Sequence, residues 1–185
     1  LENITGKYKV LEVINSGSCF ELPKATLSKI KEIIKEKKIE RLFLESHWAY
    51  KNRIQEMRDY FEIPITFKIG VETFDYDFRN GYLNKNAKFK TVEELKEYFD
   101  SPCIMVGIKS QTREMIDRDM DIVLNNFDHA TINVFVNNTS SVKRDEELVN
   151  WFSNKYKHLV DNPNIEIKAS DKWEVDKTMS QYVSK

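Results

Sequence analysis

Residues 8–38 read YKVLEVINSGSCFELPKATLSKIKEIIKEKK. An apolar, β-rich run over 8–14 stops in five small or polar residues, Asn15 to Cys19, and the chain then restarts through Phe20 and Pro23. From Lys24 to Lys38 the period changes. Leu27, Ile30, Ile33 and Ile34 fall on one helical face, with lysines on the other. The stretch is a strand, a polar turn and an amphipathic helix, and the same unit recurs. IERLFLE (39–45), ITFKIGVE (65–72), CIMVGIK (103–109), ATINVFV (130–136) and IEIKA (165–169) read as strands. The segments 47–61, 91–99, 112–127 and 146–159 carry apolar residues at helical spacing, with Thr91 and Glu94 spaced as a capping box and Asp145 placed to cap the last helix. Strict alternation is the pattern of a parallel α/β domain. A doubly wound sheet and a (β/α) barrel both satisfy it, and both put function at the C-terminal ends of the strands.

The totals narrow the function classes. The chain has 185 residues, 41% of them hydrophobic, which suits one compact domain. Its 29 basic and 30 acidic side chains nearly cancel, so it lacks the basic excess of a nucleic-acid binder. No apolar run is long enough to cross a bilayer. The two cysteines, Cys19 and Cys103, are far apart and in no metal-ligand spacing, which predicts a reduced, cytoplasmic protein.

The strand ends hold the chemistry. They read NSGSCF (15–20), ESHWAY (45–50), GVETFDYDFRNGYLNK (70–85), GIKSQT (107–112) and NVFVNNTS (133–140), each polar where the apolar run stops. Ser16, Gly17 and Ser18 can offer backbone N–H groups to a ligand or can form a simple turn. Glu45 and His47 can form a pocket wall, although a hydrogen-bonded structural histidine also fits. Glu72 can accept the two hydroxyls of a ribose, and Arg79 can fork onto a carboxylate; a surface salt-bridge network is the competing reading. Neither GxGxxG nor GxxxxGK occurs, and there is no GxSxG elbow.

In order and spacing, NSGSCF, LESH, FKIGVETFDYDFRNGYLNK, VGIKSQT and INVFVNNT followed by KRDEELVNWF resemble the radical S-adenosylmethionine (radical SAM) enzymes over residues 8 to 160. The resemblance implies a partial TIM-type (β/α) barrel of parallel strands whose first strand corresponds to the family's second. It implies S-adenosylmethionine (SAM) and a 4Fe–4S cluster as cofactors. Asn15, Ser16, Gly17 and Ser18 would hold the methionyl amino group, Glu72 and Thr73 the ribose, Arg79 the methionyl carboxylate, and Gly107 would pass near the adenine. Glu45, His47, Asn133 and Asn137 would face an unidentified substrate. The family's CxxxCxxC cluster motif is absent here, and two distant cysteines cannot replace three converging thiolates. With Leu1 as the first residue, the expectation is a single-domain piece (1–185, with 160–185 a C-terminal extension) that lacks the first strand and cluster loop and is inactive alone.

Two other readings remain at this point. One is a clusterless α/β domain that binds a small molecule or partner without catalysis. The other is a metal-dependent aldolase-type barrel using Glu45, His47 and Glu72. A barrel without its first strand would also expose an unpaired edge at 8–14, which predicts self-association there.

Overall fold

The computed structural model describes residues 4–15 and 17–168. Six strands, β1 (Val10–Val13), β2 (Arg41–Glu45), β3 (Ile65–Glu72), β4 (Ser101–Val106), β5 (Ala130–Val134) and β6 (Ile165–Lys168), form one parallel sheet in sequential order. Helices α1 (Lys24–Lys37), α2 (Ile54–Phe61), α3 (Val92–Lys96), α4 (Arg113–Asn126) and α5 (Glu146–Tyr156) lie in the crossovers. A doubly wound sheet reverses its strand order; this one never does, so the sheet is wound in one direction as in a barrel.

Period-two alternation separates two faces. Leu42 and Leu44, Phe67, Ile69 and Val71, Ile104 and Val106, and Ile132 and Val134 pack outward on the helices in two apolar clusters. The opposite, concave face carries Glu12, Phe43, Glu45, Thr66, Lys68, Gly70, Cys103, Met105, Thr131, Asn133, Glu166 and Lys168, in a register that sets Gly70, Cys103, Thr131 and Glu166 side by side. The curl is visible in one side chain. Lys68 Nζ on β3 donates to Glu12 Oε1 on β1 at 2.6 Å and to Glu166 Oε2 on β6 at 3.1 Å. A single ammonium reaches both edge strands only if the sheet closes around it. The fold is a curled half-barrel, as the family resemblance implies.

Boundaries shift in instructive places. The segment 47–61 begins as a 3₁₀ helix, Trp48–Arg53, before α2. A 3₁₀ turn at Cys19–Glu21 and a π-helical turn at Phe78–Tyr82 had no periodic signature. Thr91 caps α3 by accepting from the Glu94 N–H, but the Glu94 carboxylate reaches back to the Lys90 N–H rather than to that of Thr91. Asp145 caps α5 as its sequence position predicts. Ser16 and the stretch 169–185, which holds most of the C-terminal extension, lie outside the described residues. Among the described residues no helix is long and apolar enough to cross a membrane.

Candidate functional site

The mouth of the half-barrel, at the strand C-termini, is built first from the loop after β1. Ser18 is fully buried and caps the Cys19–Glu21 turn, with the Glu21 carboxylate accepting from the Ser18 N–H. The Ser18 hydroxyl meets that of Ser46, just past β2, at 3.0 Å, which ties the first two strand ends together. Gly17 leaves room for the Glu21 carboxylate in this cap. A Cβ there would sit 2.1 Å from Glu21 Oε2. Asn15 donates through Nδ2 to the Ser18 carbonyl at 3.0 Å, which fixes the orientation of its amide. Its Oδ1 is then a buried acceptor with no partner among the described residues. Such an atom costs roughly 1–3 kcal/mol when left dry, and it suits an N–H or ammonium donor from a ligand.

The end of β3 supplies the second part. A β-bulge shifts the register with β4 between Gly70 and Glu72, and Glu72 itself adopts φ +65°. A left-handed glutamate is strained by about 1–3 kcal/mol and is the kind of distortion that re-aims a side chain at a functional site. Here it brings the Glu72 carboxylate to Lys85 Nζ at 2.5 Å, over Gly70, where a Cβ would come within 2.6 Å of the same ammonium. The Lys85 carbonyl is 3.1 Å from His47 Nε2, and His47 Nδ1 accepts from the Ala49 N–H. With Nδ1 accepting, Nε2 must carry the proton and donate, so both ring nitrogens are engaged and neither remains for a metal. His47 is therefore a structural histidine that clamps the 83–87 loop to β2. Glu45, the last residue of β2, projects from the concave face beside this group. Burial raises its pKa, while Lys85, Lys68 and Lys168 oppose that rise and Glu72 adds to it.

The remaining sequence-derived candidates are placed as follows. Thr73 is fully buried, its hydroxyl accepting from the Asp75 N–H while Asp119 of α4 holds it from the other side. Arg79 is 1% exposed and donates to the carbonyls of Thr73, Ala87 and Phe89 at 2.6–2.9 Å, with its guanidinium 3.7 Å from the centre of the Phe89 ring. Burial lowers its pKa to about 10. These contacts make Arg79 the internal strut of the 73–89 loop. Gly107 has φ +85°, and a Cβ on it would lie 2.2 Å from Val149 of α5, so close helix approach accounts for this glycine. Asn137 is exposed and accepts from the Arg144 N–H. Asn133 sits on the concave face of β5, level with Met105 and Lys168, and makes no side-chain hydrogen bond among the described residues. The structure thus gathers Asn15, Ser18, Glu45, His47 and Glu72 at β1–β3, sets Asn133 across the mouth, and withdraws Thr73, Arg79 and Gly107 into packing.

Sequence reasoning missed Lys85 and Lys68 as organisers, and also Gln111. The buried Gln111 amide accepts from the Ile108 N–H and donates to the Met105 carbonyl, closing the end of β4. A lysine in the middle of an alternating strand was the one available signal for Lys68. Burial would push the Lys68 ammonium down, but the neighbouring charges of Cys103, Glu12 and Glu166 outweigh burial and hold it above the usual lysine range. The Cys103 thiol is itself pushed up to about 11 by burial, so at neutral pH the two carboxylates do the holding.

The cofactors fare differently. The unpartnered Asn15 carbonyl and the re-aimed Glu72 suit the amino and ribose ends of SAM. A 4Fe–4S cluster does not fit: the chain has two cysteines, on separate strand regions, and burial raises Cys19 to about 12. Among the described residues no group of three His, Cys, Asp or Glu side chains could hold a metal ion, which removes the aldolase-type metal set.

No family model matches the chain, and no curated protein matches it. Among solved structures, that of queuine lyase from Clostridium spiroforme bound to SAM and queuine is similar, with a TM-score of 0.89 and 50% sequence identity, covering 92% of this chain and 74% of that one.

Proposed function

The chain belongs to the radical SAM superfamily, and from that membership we propose that it forms the SAM- and substrate-binding part of a radical enzyme acting on a queuine-type base. One observation carries this reading: half of the residues are identical, over nine-tenths of the chain, to a protein whose structure holds both SAM and queuine. In this superfamily bound SAM supplies a 5′-deoxyadenosyl radical, and the protein's part is to bind, orient and exclude water. Asn15 Oδ1 accepts from the methionyl ammonium, and the Ser18 cap keeps that loop rigid. Glu72 takes the ribose hydroxyls, Lys85 exchanging its ion pair for a position beside the ligand. Glu45 and Asn133 face the substrate from opposite sides of the mouth, and His47 holds the Lys85 loop against β2. Arg79 supports the cofactor from behind by fixing the 73–89 loop. The cluster ligands come from outside these 185 residues, and the protein works in the cytoplasm, where its two thiols stay reduced.

The test is an anaerobic assay of the protein together with its cluster-bearing segment, reduced and supplied with SAM and queuine. Formation of 5′-deoxyadenosine that depends on queuine supports the reading. If 5′-deoxyadenosine forms equally with or without queuine, and queuine is unchanged, the substrate part of the proposal fails.

A further inference from the structure

The concave face and its mouth carry four carboxylates, Glu12, Glu45, Glu72 and Glu166, and three of them have cations. Glu12 is held by Lys68, Glu166 by Lys68 and Lys168, and Glu72 by Lys85. The fourth, Glu45, makes no hydrogen bond or ion pair through its carboxylate among the described residues, although it is half-buried at the mouth. A carboxylate taken partly out of water without a partner is unfavourable unless something else donates to it. Its own surroundings do not supply that donor. Lys68 opposite it in the β2–β3 register is turned toward β1 and β6, and Lys85 is spent on Glu72. Ser46 and His47, the next two residues, are committed to Ser18 and to Lys85, so the backbone around Glu45 is fixed and its side chain has few alternatives.

The surrounding charge narrows the ligand class. Lys68, Lys85 and Lys168 all act on Glu45 electrostatically. Burial raises the Glu45 pKa and these ammonium groups, already paired with Glu12, Glu72 and Glu166, oppose that rise; hydrogen-bond donors reaching the carboxylate would favour its ionised form further. The complementary ligand is a neutral group with two adjacent N–H donors, which a carboxylate receives side by side. Queuine is a 7-deazaguanine, and its pyrimidinone edge offers such a pair: a ring N–H next to an exocyclic amino group.

We propose that Glu45 is the residue that selects the base, by accepting the ring N–H and the exocyclic amino group of a 7-deazaguanine at the mouth of the half-barrel. This rests on the reading of the substrate as a queuine-type base. A site built to accept from an amino group discriminates strongly against an analogue that lacks it, because the acceptor is then left dry.

The experiment is calorimetric titration of the SAM-loaded protein, wild type and Glu45→Gln, with queuine, 7-deazaguanine and 7-deazahypoxanthine, which lacks the amino group. Glutamine keeps the shape but presents one donor and one acceptor against two donors. The expected result has three parts: wild-type preference for 7-deazaguanine over 7-deazahypoxanthine of at least tenfold, loss of at least tenfold in queuine affinity in E45Q with that preference erased, and SAM affinity unchanged within twofold. Equal queuine affinity and an unchanged amino-group preference in E45Q would overturn the assignment of Glu45 while leaving the substrate reading intact. Wild-type protein that binds SAM but none of the three bases would overturn the substrate reading and this inference with it. Parallel loss of SAM and queuine in E45Q would show a scaffold role and overturn base selection.

Discussion

Replacing Lys68 by methionine tests the closure of the half-barrel. The Lys68 side chain is 4% exposed, and its partners Glu12 and Glu166 are 13% and 11% exposed. These are buried pairs, so the small values typical of surface ion pairs do not apply. Methionine fills the same channel but leaves Glu12 without a cation, whereas Glu166 keeps Lys168 and the Thr131 hydroxyl. Removing one member of a buried pair costs about 3–5 kcal/mol. For a chain of this size that is a fall in Tm of roughly 6–20 °C. The pH dependence has a definite sign. In the native protein burial would raise the Glu166 pKa, but Lys68 and Lys168 lower it. It therefore contributes stability that is present above the ordinary carboxylate pKa and is lost as the pH falls through the lowered value. In K68M the Glu12 carboxylate is held out of water without its cation, and that penalty disappears as it protonates. The difference between wild type and K68M, measured by urea unfolding at pH 7 and pH 4.5, should therefore shrink at the lower pH. The double variant Glu12→Leu with Lys68→Met should recover much of the loss. A K68M deficit below about 1 kcal/mol at pH 7 would place these charges in the surface regime and refute the idea that Lys68 spans a closed interior.

Three further outcomes follow from the same contacts. Arg79→Met removes the side-chain donor to the carbonyls of Thr73, Ala87 and Phe89, leaving Ala87 only the Asn80 amide. It should speed amide exchange in residues 73–89 at least tenfold while the sheet amides stay protected, and uniform protection would refute the strut role. Burial raises the Asp119 carboxyl to about 6, so its protonated form favours folding; stability should fall as the pH rises from 4 through 6, by up to about 3 kcal/mol. Asp119→Asn should flatten that slope in thermal melts, and an unchanged slope would exonerate Asp119. Strand β1 is hydrogen-bonded to β2 on one side only among the described residues. Self-association through residues 8–14 should therefore appear in sedimentation at high concentration and be removed by Leu11→Lys; a monomer throughout would rule it out.

The legible parts of the fold were the local ones. Leu27, Ile30 and Ile34 announce α1 by spacing, and Thr91 and Asp145 announce helix starts because a cap acts within three residues. Strand order is a long-range property: alternation alone fits both a barrel and a doubly wound sheet, and the unreversed order from β1 through β6 separates them. The site was legible by address more than by role. The polar strand ends lie together at the mouth, where Asn15, Glu45 and Glu72 are gathered. Arg79 in a polar loop looks like a ligand fork, yet its partners are backbone carbonyls that no side-chain pattern encodes. The bulge that turns Glu72 depends on register with β4, and the Lys68 clasp depends on curvature. Neither leaves a local trace in the chain.

The most direct test of the account is a calorimetric titration of this chain with SAM, beside an Asn15→Ala variant. One-site binding to the wild-type chain is expected, weakened at least tenfold in the variant, if Asn15 Oδ1, a buried acceptor without a partner among the described residues, receives the methionyl ammonium as proposed. A folded wild-type chain that gives no SAM binding, or an Asn15→Ala variant that binds as tightly as wild type, would contradict it.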